Sequence, residues 1–317
     1  MHLRRLTLVS LAPILFAACA SDNSARSAAS GVQETGSPDP TMGGLQPGGG
    51  SGATGAVEGS AGGSEGQGTD LPLQPSGMSP APLGTVENRG SGCEVSALPA
   101  GNTLPMSTTL PDPFTRLDGT RITQKSDWIC RRQEILKQAY QYIYGEKPPK
   151  PESVTGTVSD TQVTVNIEQG GQSQSFSATI TLPAGQGPFP AVISFSGSGP
   201  TQQIADMGVA VINFNQSSVG SRNSGIFASL YPNNSAGDLV AWAWGASRIV
   251  DVLQAADNTI IDAKRLGVTG CSFLGKAAFA TGALDERFVL TIPLESGIGG
   301  VPSYKIVPQL EPNPTNA

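Results

Sequence analysis

Histidine is almost absent from this sequence. The chain of 317 residues contains one, His2, inside a stretch that reads as an export signal, so the mature chain is expected to hold none. Within these residues that excludes a histidine general base, histidine-ligated zinc and an HExxH metalloprotease. Charge is scarce as well: Asp, Glu, Lys and Arg make up 14 % of the chain, and the formal net charge is −6. Nucleic acid would need a basic face, so it is not an expected partner. Cys93, Cys130 and Cys271 are too scattered for a zinc motif, and no metal site is expected. The dinucleotide fingerprint is missing too. Gly197-Ser-Gly199-Pro200 follows a strand pattern but lacks GxGxxG spacing, and Pro200 is expected to disturb a helix start there. The sequence gives no sign of a cofactor.

Long apolar runs are also missing. The longest, Leu6 to Ala18, is too short for a membrane span, which needs about 20 apolar residues. Preceded by Arg4 and Arg5, it has the form of a signal peptide over residues 1–19. Ala17-Ala18-Cys19 resembles a bacterial lipobox with Cys19 as the lipidated residue, although Phe16 stands where Leu is usual. Ordinary cleavage after Ala18-Cys19-Ala20 is the alternative. Either way the expected location is outside the cytoplasm, as a secreted protein or a lipoprotein of the outer surface, where disulfides persist.

Glycine is plentiful but unevenly placed. Residues 31–92 hold 18 of the 40 glycines, among Ser, Pro and Thr. Such a composition cannot bury enough apolar surface to offset its ordering entropy. Residues 20–92 therefore read as a flexible linker, suited to tethering a folded domain that starts at Cys93.

From Cys93 the patterning is that of an α/β domain. Residues 127–144 contain no Gly or Pro and carry an amphipathic face, with Ser126 or Asp127 able to cap the start and Gly145 to stop it. Residues 161–168 and 174–182 alternate around Gly170-Gly171, which predicts a hairpin. Residues 190–196, 208–214, 265–269 and 288–293 are short apolar runs suited to buried strands. Residues 239–256 predict a helix with Asp238 as its N-cap. Strand and helix in alternation imply a mainly parallel sheet.

The chemistry gathers at Gly267-Val-Thr-Gly-Cys-Ser272-Phe-Leu-Gly-Lys276. A buried strand stops, a serine sits in a tight turn, and an Ala-rich helix begins, which is the setting of a nucleophile elbow. The spacing is one residue longer than G-x-S-x-G. The Phe273 backbone N–H would be the first oxyanion donor at the helix N-terminus, with the 197–200 loop framing the second side. Lys276 shares a helical face with Ser272 and could meet a polar or anionic part of a substrate. Glu295 directly follows the next buried strand, so it lies near Ser272, where it could orient a base.

Several stretches together carry a family resemblance. They are Asp127-Trp-Ile-Cys-Arg-Arg-Gln-Glu-Ile135, Tyr142-Ile-Tyr-Gly-Glu-Lys-Pro148, Ala241-Trp-Ala-Trp-Gly-Ala-Ser-Arg-Ile249, Gly267 to Ser272, Gly275-Lys276, Leu284-Asp-Glu-Arg287 and Ile292-Pro-Leu-Glu-Ser-Gly297. Residues 93–300 resemble the glucuronoyl esterases, carbohydrate esterase family 15. The resemblance implies an α/β-hydrolase fold, a three-layer sandwich, over residues 93–317. It also implies cleavage of esters that join 4-O-methyl-glucuronic acid on xylan to lignin alcohols, so that glucuronoxylan–lignin esters of plant cell walls become the expected partner. Ser272 becomes the nucleophile, Glu295 the triad acid and Lys276 a contact to the glucuronoyl group. A Cys93–Cys130 disulfide is implied as well. The pairing of Cys271 stays open, because its family partner lies near a catalytic histidine.

The departures bear on activity. The family's turn reads G-C-S-R-N-G-K, whereas Phe273 and Leu274 stand here in place of Arg and Asn, and that arginine is held to stabilise the oxyanion. Leu294 occupies a commonly polar position. The family histidine lies further downstream, and no residue of this chain matches it. The chain therefore reads as a truncated, frameshifted or fragmentary copy whose C-terminal part is missing, with two functions in view: the ester hydrolase, or an inactive homologue that at most binds glucuronoxylan. A bare sheet edge and poor solubility are expected with it.

Overall fold

The computed structural model describes residues 81–302, apart from Leu83, Met106, Thr108, Asn258 and Thr259. The signal peptide, Cys19 and most of the linker lie outside the described residues.

Helix α1 covers Trp128–Ala139 and continues as one π-helical turn, Tyr140–Tyr144, before the chain leaves at Gly145. Asp127 does not cap α1 through its own side chain; its Oδ2 instead accepts the N–H groups of Thr123 and Gln124 at 3.2 Å each. Strand β1, Ser153–Val158, carries no clear alternation in the sequence and was not expected there. Strands β2 (Gln162–Gln169) and β3 (Gln172–Thr181) form the expected hairpin. Gly170 and Gly171 turn it with φ of 57° and 74°, the pair of positive values that a two-residue hairpin loop demands.

The rest alternates strand and helix. Strand β4 is Phe189–Phe195, helix α2 Thr201–Asp206, β5 Ala210–Phe214, α3 Gly225–Leu230, α4 Asp238–Ala255, β6 Ile261–Cys271, α5 Phe273–Leu284 and β7 Phe288–Leu294. The seven strands form one sheet in the order β1-β2-β3-β5-β4-β6-β7. Strands β5, β4, β6 and β7 run parallel, while β1, β2 and β3 are joined antiparallel to one another and to β5. The sheet is thus mixed, and its parallel part carries the site.

Two expectations about helix starts need correction. Pro200 does not disturb a helix; it is the N-cap of α2, where a missing N–H costs nothing. Asp238 is the first residue of α4 and not its cap, which is Gly237. The Asp238 carboxylate is used elsewhere, accepting the Arg222 N–H at 3.0 Å.

Alternate residues of the parallel strands face opposite layers. Ala191, Ile193, Ala210 and Ile212 pack with α4 and α5 residues such as Trp244, Ile249, Ala277 and Ala278. Val192 and Val211 pack with Ile204 of α2 and Ile292 of β7. Helices therefore cover both faces, giving the three-layer sandwich.

The folded domain starts earlier than composition suggests. Glu87, inside the stretch read as linker, pairs with Lys147 at 2.6 Å and Arg248 at 2.5 Å, and its oxygen lies 3.5 Å from Arg287. Arg89 pairs with Glu286 at 2.8 Å. Asp251 and Asp285 complete the buried network on Arg287, at 2.5 and 2.7 Å. Burial pushes the Glu87 carboxyl up, but Lys147, Arg248 and Arg287 outweigh it and hold it at about 2. The local composition of residues 84–92 hides this because the partners lie 60 to 200 residues away along the chain. The Cys93–Cys130 disulfide follows directly and pins the same segment to α1.

Candidate active site

The site grows out of how β6 ends. The strand is buried and apolar up to Cys271, then Ser272 turns with φ 56° and ψ −121°, and α5 starts at Phe273. Only small residues permit this. A Cβ on Gly270 would come within 2.3 Å of the Leu274 carbonyl oxygen, and one on Gly275 within 2.3 Å of the Leu294 carbonyl oxygen. The elbow is closed by two backbone bonds: Ser272 N–H donates to Leu294 O at 3.0 Å, and Lys276 N–H to Ser272 O at 3.1 Å. The Ser272 side chain is left exposed on the rim. As the first residue of α5, Phe273 has no acceptor for its N–H within the helix.

Backbone strain marks the neighbourhood. Among the described residues, three non-glycine residues have positive φ: Ser196, Ser272 and Glu295. They sit directly after β4, β6 and β7, three neighbouring parallel strands, at their carboxyl ends. Strain of this kind gathers at functional sites, and open parallel sheets bind ligands outside the same strand ends. Glu295 is therefore beside the elbow, one residue after the carbonyl that holds the Ser272 N–H. Its Oε2 lies 3.9 Å from Cys271 Sγ, and Cys271 is not a free thiol.

The 197–200 loop lies on the other side of the elbow. Ser198 Oγ accepts the Cys271 N–H at 3.1 Å, and the Ser194 hydroxyl donates to Ser198 O at 2.8 Å. Ser196 donates its hydroxyl to Gln216 Oε1 at 2.7 Å. The sequence singled out this loop for its glycines. Two of these serine contacts were not visible there, because they join the segment after β4 to β6 and to the turn after β5.

Lys276 lies with its ammonium 5.8 Å from the centroid of the Phe273 ring. Its Cε is 3.9 Å from where a Cβ on Gly297 would stand, so the lysine stem runs between the elbow and the loop after Glu295. Trp242 meets Phe273 edge-on at 5.5 Å and donates its indole N–H to Gly220 O at 2.8 Å. Phe273 is 49 % exposed and faces a cleft of about 380 Å³, bounded also by Tyr144, Arg222, Asn223, Asp238 and Leu239. Arg222, Asn223 and the cleft use of Asp238 were missed in the sequence, because the turn between β5 and α3 has no period and the first residue of α4 gives no sign of which cleft it borders.

Comparison with known proteins supports the same part of the chain. The family described as "Glucuronyl esterase, fungi" matches residues 165–317. The 4-O-methyl-glucuronoyl methylesterase of Thermothelomyces thermophilus is 45 % identical over 239 residues, covering 72 % of this chain and 58 % of that protein. The glucuronoyl esterase catalytic domain from Hypocrea jecorina superposes with a TM-score of 0.61 at 38 % identity, covering 68 % of this chain and 61 % of that one. A mutant glucuronoyl esterase from Sporotrichum thermophile, solved in complex with methyl 4-O-methyl-β-D-glucopyranuronate, gives a TM-score of 0.58 at 45 % identity and covers 64 % of this chain and 57 % of that one. The chain spans about half the length of the curated relatives it matches. Elbow, sheet and relatives agree, and the chain belongs to the glucuronoyl esterase family.

Proposed function

We propose that this chain carries the serine half of a carboxylic ester hydrolase acting on 4-O-methyl-glucuronoyl esters, such as those joining glucuronoxylan to lignin alcohols. The carrying observation is the exposed Ser272 in a left-handed elbow beside Glu295 on the next strand end. Ser272 Oγ would attack the ester carbonyl carbon, and the alkoxide would leave as the alcohol. Water would then release the uronate from the serine. The Phe273 N–H, at the positive end of α5, would receive the developing oxyanion, a role worth on the order of 10²–10³ in rate when one such donor is lost. Lys276 would contact the glucuronoyl group. Glu295 would orient and stabilise a protonated base.

One observation favours a second reading. Residues 3–317 contain no histidine, so these residues supply no imidazole for the Ser272 proton, and serine without a base is a weak nucleophile near neutral pH. The second reading is a homologue that binds glucuronoxylan without turning it over. Assay of the purified chain on benzyl glucuronate separates the two. Turnover that Ser272→Ala abolishes supports the hydrolase. A folded chain with no turnover supports the binding protein.

Export through residues 1–19, with Cys19 lipidated, is proposed alongside, on the Arg4-Arg5 start and the Ala17-Ala18-Cys19 end. Mass spectrometry of the mature N-terminus tests it: a diacylglyceryl cysteine supports the anchor, and a free N-terminus after Ala20 supports plain secretion.

A further inference from the structure

The arginines single out one side of the cleft. Among the described residues, Arg89, Arg116, Arg121, Arg131, Arg132, Arg248, Arg265 and Arg287 each form an ion pair. Arg222 is the remaining described arginine, and no ion pair is found for it. It borders the cleft beside Ser272 together with Phe273 and Asp238. Asp238, at the start of α4, forms no ion pair with it: its Oδ1 takes the Arg222 backbone N–H at 3.0 Å, which fixes the loop and not the guanidinium.

The loop and the facing ring are held by the same residue. Trp242 takes Gly220 O through its indole N–H and packs its edge on Phe273. A cation and an aromatic face are thus preset across one cleft. The rim adds Asn223 and Asp238, residues whose polar groups suit hydroxyls. An unpaired guanidinium matches a carboxylate in planar, charge-assisted geometry, and the half-exposed Phe273 side chain adds apolar surface to the cleft.

We infer that this cleft binds a uronate anion, with Arg222 as the residue that pairs with its carboxylate. The inference rests on the uronoyl-ester reading of the Ser272 rim and extends it. The ester itself is neutral, whereas hydrolysis converts ester and water into alcohol, carboxylate and a proton. Arg222 therefore favours the acid over the ester and retains the product.

The full chain, titrated with sodium glucuronate and in parallel with neutral methyl glucoside, tests this by calorimetry and tryptophan fluorescence. Glucuronate is expected to bind, to weaken with added NaCl, and to lose about tenfold or more in affinity in Arg222→Ala, the size of one charged hydrogen-bonding contact. Arg265→Ala, at the far end of β6, is expected to leave binding unchanged. Equal glucuronate affinity in Arg222→Ala and the parent chain overturns the inference, as does equal affinity for the neutral glucoside or no glucuronate binding at millimolar concentration. The two readings fail separately. A chain that binds glucuronate through Arg222 but never turns over benzyl glucuronate refutes the hydrolase alone. A chain that turns the ester over with glucuronate inhibition unchanged in Arg222→Ala refutes this inference alone.

Discussion

Gly270 and Gly275 decide whether Ser272 can stand where it does. Each faces a carbonyl oxygen that a Cβ would approach to 2.3 Å. Gly270→Ala or Gly275→Ala is therefore expected to destabilise the domain by about 1–3 kcal/mol, the usual range for forced overpacking, and to disturb the elbow; thermal melts with and without the substitution measure it. The need for small residues around Ser272 was legible in the sequence, since a strand, a serine and an Ala-rich run follow in order. The contact of Ser198 with Cys271 and the place of Arg222 on the cleft border were not, because they depend on which loops the sheet order makes neighbours.

At the scale of elements, the segment before Cys93 works as a strap across α4 and the α5–β7 connection. Glu87 is its central contact, and its carboxyl is held at about 2 against an ordinary 4.5. A carboxyl depressed in the folded state contributes stability that is present above its unfolded pKa and is lost as pH falls through the folded value. That loss is expected to run from about pH 4.5 down to about pH 2, and the depression corresponds to on the order of 3 kcal/mol. Glu87→Gln should remove this acid dependence, seen as a flatter plot of melting temperature against pH. It should also cost about 3–5 kcal/mol at neutral pH, because Lys147 stays buried without its acid and Arg248 keeps only Asp251. The Cys93–Cys130 bridge closes a loop of sequence separation 37 next to this strap. Replacing both cysteines by serine should cost about 2–4 kcal/mol in a denaturant titration. The family resemblance implied the bridge. The strap stayed hidden inside a Gly-rich composition.

For the whole molecule, β7 is the last strand of the sheet among the described residues, paired only to β6. Val289 is 56 % exposed and Leu290 50 %, on an edge with no strand partner on that side among the described residues. Apolar open edges recruit other chains. Self-association is expected, and Leu290→Lys should reduce it, read as a shift to smaller species by light scattering or analytical ultracentrifugation. An unchanged monodisperse monomer in the parent chain would contradict the expectation of poor solubility drawn from the sequence.

By itself the sequence determined the local chemistry. Hydrophobic periods fixed where most strands and helices run, and the Gly-Cys-Ser run fixed a strained serine at a helix start. The near absence of histidine means that residues 3–317 bring no imidazole to the serine. These are short-range properties, set by neighbours a few residues apart. Tertiary structure alone decided that Ser196, Ser272 and Glu295 follow adjacent strands, that Glu87 reaches three cations distant in the chain, and that Arg222 and Phe273 border one cleft. Strand order and long-range burial bring those groups together, and a linear pattern carries no record of either.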